Sequence, residues 1–225
     1  MSIDSTASSS ATRKVERELA AAFETLRSAA SDPRLERGTR RAILDATEKM
    51  IIEGGIERLS MRGIAARVGI SLASLQYHFP TRAELFRSFC DFKADGYGNQ
   101  LADTLTSMSG DPDSALAYLV QFLLEDGLKP STCALYSQLS ALACYDDDAR
   151  VALERHMALY LKLVGLLVAR VAPSLTPALV VDRATAIVSI IEGFPSTVAR
   201  SKRTGRALRR TVASLTSFAV GIAKG

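Results

Sequence analysis

A chain of 225 residues that is 48% hydrophobic, with no tryptophan and 6% aromatic side chains, can bury a sizeable core without metal or disulfide and favours helices over sheets. Its longest apolar stretch, Leu163 to Ala172, contains Arg170 and stops at Pro173, well short of a membrane span, and the Ser-, Thr- and Ala-rich start lacks the basic end and apolar run of a secretion signal. The formal charge of +4 is unevenly spread: residues 36–93 carry ten basic and seven acidic side chains, residues 94–199 six and twelve, and residues 200–225 seven basic and no acidic ones, so a polyanion is expected to meet the N-terminal module.

In chain order, the first helix is expected from Thr12 to Ala30, where Val15, Leu19, Ala22, Phe23 and Leu26 recur at helical spacing. Arg13, Lys14 and Arg17 on it are candidates to grip that polyanion, against the plainer reading that the helix packs on the body. A second helix is expected from about Thr39 to Glu53, closed by Gly54-Gly55. Ser60 then caps a short helix that Gly69 ends, and Ser71 caps another only two residues later. Leu59 with Ile64, and Ile70 with Leu75, have the spacing of hydrophobic staples. Pro80 closes that second short helix, and Thr81 with Glu84 forms a capping box for the next, through Leu85, Phe86 and Phe89.

Further helices are expected beyond Asp95: one kinked or broken at Gly96 and Gly98 and resuming to about Met108, then Asp111-Pro112 to Asp126, Ser131 to Cys144, Asp147 to Ala172, Thr176-Pro177 to about Lys202, and Arg206 to Ala223. The expected fold is therefore all-α: an N-terminal extension over residues 1–35, a three-helix helix-turn-helix module over 36–93, and a larger helical domain over 94–225. Three isolated cysteines, Cys90, Cys133 and Cys144, suit a reducing compartment, so a cytoplasmic location without membrane attachment is expected.

A helix-turn-helix needs a small residue where its helices cross, a glycine at positive φ in the turn, and apolar residues locking the pair. Ala65, Gly69 and Leu75 stand at those places, with Ile64, Val68 and Ile70 completing a small core. Leu72, Ala73, Gln76 and Tyr77 lie on the opposite face of the second helix, short or flat enough to enter a major groove. On these residues, Thr39 to Phe86 resembles the DNA-binding domain of TetR-family regulators. The resemblance runs through Leu59-Ser60-Met61-Arg62-Gly63-Ile64-Ala65-Ala66-Arg67-Val68-Gly69-Ile70-Ser71, Ser74-Leu75-Gln76-Tyr77-His78-Phe79 and Thr81-Arg82-Ala83-Glu84-Leu85-Phe86. Gln76 stands where the family usually has an aromatic residue and Arg82 where it usually has lysine.

The resemblance implies phosphate contacts from Ser60, Tyr77, His78 and Arg82, a phosphate or base contact from Arg62, and Ser71, Leu72, Ala73 and Ser74 at the groove floor. Arg40 is a further phosphate candidate, and Gln76 can pair with adenine N6 and N7. Beside these stand plainer readings: His78 and Phe79 as packing residues, Arg62 and Arg67 as solvated charges. A recognition helix from Ser71 to His78 is only about 12 Å long, so a homodimer is expected to place two in successive grooves. Ala184, Ile187, Val188 and Ile191, then Leu208, Val212 and Leu215, form apolar stripes suited to a four-helix interface, or else to intramolecular core.

The family resemblance also implies a pocket for a small-molecule effector in the helical body. Its candidate residues are Tyr118, Phe122, Tyr136, His156, Tyr160 and Glu192, of which Glu192 also suits a dimer-interface hydrogen bond. Ligand binding is then expected to shift the spacing of the recognition helices away from the operator. The basic run Arg200, Lys202, Arg203, Arg206, Arg209 and Arg210 is read as a helix end complementing its C-terminal dipole. Two histidines, no nucleophile motif and no phosphate loop argue against an enzyme, and no cofactor or metal site is expected. The rival reading is a helical interaction module that keeps the fold without a DNA role.

Overall fold

The computed structural model describes residues 38–55, 59–108, 110–199 and 204–225, together with Arg17, Glu18 and Ala21. Those three residues are helical, while the rest of the expected helix from Thr12 to Ala30, with Arg13 and Lys14, lies outside the described residues. The other helices are α1 (Thr39–Gly54), α2 (Met61–Val68), α3 (Leu72–His78), α4 (Arg82–Ser107), α5 (Pro112–Gly127), α6 (Pro130–Ala143), α7 (Asp147–Val171), α8 (Pro177–Ala199) and α9 (Gly205–Lys224). No strand occurs among the described residues.

The chain divides into two compact units. One spans residues 25–99 and 130–158, so α6 and the first half of α7 belong with the helix-turn-helix. Here α1 packs on α2 and α6, and α2 packs on α3. A single apolar cluster joins Ile43, Leu44 and Ile51 of α1, Ile64 and Ala65 of α2, Leu75 of α3, Phe86 and Phe89 of α4, and Leu135 and Leu139 of α6. Three closed-off phenylalanines, Phe79, Phe86 and Phe89, fill its centre and fix α3 and α4 against α1.

The other unit spans residues 1–24, 100–129 and 159–225, within which α5, α8 and α9 pack on one another. Leu116, Leu119, Val120 and Leu124 of α5 are buried there, as are Val164, Leu167 and Val168 of α7. The last residue of α5 is Gly127 because a Cβ there would come within 2.7 Å of the Pro195 ring carbon Cγ on α8. Arg183 of α8 donates to the Ala223 carbonyl of α9 at 2.8 Å, fixing the end of that helix.

Three expectations are corrected. Gly96 and Gly98 do not break α4, which continues through both to Ser107: buried Ala94 and Leu101 flank them, and packing outweighs a glycine cost of about 1 kcal/mol each. Ala184, Ile187, Val188, Ile191 and Val212 are buried within their own chain, with Leu208 and Leu215 half-buried, so those stripes are core and a partner copy would have to meet other faces. Arg206, Arg209 and Arg210 lie exposed in the first two turns of α9, where the helix dipole opposes rather than favours positive charge. Arg200, Lys202 and Arg203 lie outside the described residues.

Candidate nucleic-acid interface

The corner between α2 and α3 is built from local chemistry. The Ser60 hydroxyl accepts from the Gly63 N–H at 3.1 Å, satisfying a donor that the first turn of α2 would leave orphaned. Gly69 ends α2 in the left-handed region, φ 78° and ψ 29°, and its N–H returns to the Ala65 and Ala66 carbonyls. Ser71 then caps α3 by accepting from the Ser74 N–H at 3.0 Å. The chain thus reverses within the three residues between α2 and α3, and buried Ala65 and Leu75 hold the two helices together.

This leaves one face of α3 open. Ala73 and Gln76 are exposed, and Tyr77 is 84% exposed, an expensive position for a phenol ring unless something covers it. Leu72, Ser74 and His78 flank them half-buried, and the His78 ring meets Tyr77 edge-on with centroids 5.3 Å apart. Arg62 is exposed on α2, and Ser60 and Ser71 are exposed at the caps. Phe79 is wholly buried, as its packing reading expected.

Two arginines offered to phosphate are committed within the protein. Arg40 donates to the His78 carbonyl at 2.7 Å and to Ser88 Oγ at 3.0 Å, and its guanidinium lies 4.2 Å from the Phe79 ring centroid. It therefore ties the end of α3 to α1 and α4, filling one of the carbonyls that the helix end leaves open. Arg82, the first residue of α4, lies over the Phe86 ring at 4.8 Å and pairs with the Asp146 carboxylate. Burial pushes the Asp146 pKa upward, but the Ala149 N–H, the Arg82 hydrogen bond and charge, and the Asp148 N–H outweigh it and hold the pKa below the usual carboxylate value. Arg67 pairs with Glu53 at 2.8 Å on the surface, an exposed contact of small energetic weight.

The effector candidates divide between the two units. Tyr118 and Phe122 stack on α5 with centroids 6.4 Å apart, in the same unit as Tyr160 and Glu192. Glu192 is open to water, yet its surroundings are dense enough for desolvation to push its carboxyl pKa upward. Tyr136 and His156 belong to the other unit, where the phenol oxygen lies 3.4 Å from Nε2. Burial lowers the His156 pKa and nearby Lys93 adds to this. The Cys90 carbonyl opposes both, although Nδ1 makes no hydrogen bond of good geometry. The Cys90 thiol is pushed up to about 12, chiefly by burial and further by Asp91, which keeps it protonated. Among the described residues no group of three or more His, Cys, Asp or Glu is placed to hold a metal ion, and no helix is long and apolar enough to cross a membrane.

Residues 43–89, the three helices and corner just described, match the family model for bacterial regulatory proteins of the tetR family. That stretch is a tetR-family DNA-binding domain. The chain's fold is shared with a TetR transcription regulator from Haloarcula marismortui, at 18% identity and a TM-score of 0.62, over 80% of this chain and 95% of that one. A TetR transcriptional regulator from Legionella pneumophila has 16% identity and a TM-score of 0.60, over 81% and 97%. A protein from Saccharomonospora viridis held in complex with choline has 19% identity and a TM-score of 0.63, over 80% and 94%. No match was found among curated proteins.

Sequence reasoning missed the residues that position the site. Asp146 and Ser88 stand 64 and 48 positions from the arginines they engage, so spacing gives no sign of the pairing. A signal for Asp146 did exist, since it caps α7 by accepting from the Ala149 N–H at 3.0 Å and opens the acidic run Asp146-Asp147-Asp148. Asp95, 5% exposed on α4, was also passed over.

Proposed function

We propose that this protein is a sequence-specific DNA-binding transcriptional repressor of the TetR family, acting as a homodimer on a palindromic operator and released by a small-molecule effector. The observation that carries the reading is the open face of α3, with Ala73, Gln76 and Tyr77 outward over the anchored Leu75 and Phe79. A rigid helix whose outer side chains are small, amide-bearing or flat suits a major groove about 12 Å wide. Gln76 reads an adenine, and Ser60, Arg62, Ser71, Ser74, Tyr77 and His78 lie along or beside the same corner, where phosphates pass.

Seven residues of helix reach only about 10 Å along DNA, and two copies in successive grooves supply the rest of a specific site. The partner copy meets the outer faces of α8 and α9, where Val181 is 63% and Phe218 60% exposed among small residues, Thr185, Ala186 and Ser189 on α8 and Ala213, Ser214 and Ser217 on α9. Tyr118, Phe122, Tyr160 and Glu192 belong to the unit that receives the effector. The choline held by the Saccharomonospora viridis protein supports a small organic molecule in that role.

Selection of duplexes from a random pool tests the reading directly. The expected product is an inverted repeat with an adenine at a fixed place in each half-site, lost on Gln76→Ala. A protein that enriches no sequence and retains no duplex at low salt is instead a helical interaction module.

A further inference from the structure

Neither DNA contact nor core packing accounts for the pair joining Arg82 to Asp146, 64 positions apart. Arg82 begins α4 only four residues after His78, within about 15 Å of the recognition helix along the chain. A guanidinium at that place is well situated for a phosphate beside the groove. Its side chain instead lies over the buried Phe86 ring, one turn further along α4, and pairs with Asp146. Asp146 is a prepared acceptor: the Ala149 N–H holds its carboxylate at the start of α7, so little entropy is lost when Arg82 docks.

We propose that Asp146 competes with DNA phosphate for Arg82, so that this carboxylate sets the affinity of the protein for duplex DNA by withholding one cation per protomer. An arginine can satisfy one bidentate carboxylate or one phosphate with the same fork of donors, not both in the same place. Since Asp146 caps α7, a displacement of that helix start changes how firmly Arg82 is withheld. The inference rests on the DNA-binding reading above and adds to it a residue that touches no base and no phosphate.

The test uses the full chain and a mixed-sequence duplex of known length, because phosphate contacts do not depend on sequence. Each phosphate neutralised steepens the fall of log affinity with log salt by about 0.9. Asp146→Asn keeps a side-chain oxygen for the Ala149 N–H, so the helix start survives, and thermal unfolding confirms this. It is expected to raise affinity roughly three- to tenfold per protomer near 0.1 M salt and to steepen the slope by about 0.9 per protomer. Arg82→Gln alone should leave both close to wild type, and the double variant should return to wild type. A gain that persists in the double variant is a general charge effect, and it overturns the proposal. So does a wild-type slope that flattens on Arg82→Gln, or an Asp146→Asn variant that binds no better. If neither wild type nor any variant binds duplex, the DNA reading itself has failed and this inference with it.

Discussion

Asp95 is the one charged side chain buried among the described residues. It is 5% exposed, and burial with a further push from Asp91 raises its pKa to about 7. An unfolded chain would have this carboxyl near about 3.9. Between those values the folded state holds a proton that the unfolded state has released. Stability from this group therefore falls as pH rises from about 4 to about 7 and stays level above that. Relaxation around the ionised carboxylate reduces the effect to on the order of 2 kcal/mol. Asp95→Asn is expected to stabilise the protein by about that amount at pH 8 and hardly at all at pH 4.5, read by urea unfolding at both. An equal gain at the two pH values would show that packing, not charge, limits this site.

At the scale of the element, the serine caps show why this part of the fold was legible in sequence. Ser60 and Ser71 each satisfy an amide three residues ahead, Gly69 takes the conformation that releases one helix into the next, and all of these lie within fifteen consecutive residues. Ser71→Ala is expected to cost about 1 kcal/mol and to weaken DNA binding by more than the loss of fold accounts for, since α3 is only seven residues long and depends on its cap. Comparing duplex affinity for Ser71→Ala and the neutral cap Ser71→Asn at a temperature where both are folded separates these effects; equal affinity for the two would mean that the cap does not order α3. Less legible were elements fixed by distant packing. The glycines of α4 suggested a break because their neighbours across the core are not visible in a one-dimensional pattern. Arg82 suggested phosphate through the family resemblance and Arg40 through its place at the start of a helix, while the partners that hold them lie tens of residues away. The stripes on α8 and α9 announced buried surface correctly, but periodicity cannot say whether the covering helix belongs to the same chain.

For the whole molecule, burial of those stripes within one chain moves the dimer question to the residues left outside. Val181 and Phe218 remain more than half exposed on two helices that pack on each other, and the side chains around them are small enough to let a second helix pair approach closely. In an isologous interface each residue is used twice, so one charge introduced per chain places two like charges in the contact. Val181→Glu is therefore expected to yield folded monomers, seen as a halved mass in sedimentation with an unchanged helical spectrum. The same variant should lose most operator affinity while retaining weak duplex binding with about half the wild-type salt slope, since a monomer displaces half the counterions. A variant that stays dimeric would move the interface elsewhere. One that turns monomeric yet binds the operator as tightly as before would mean that a single α3 suffices, against the short reach of seven helical residues.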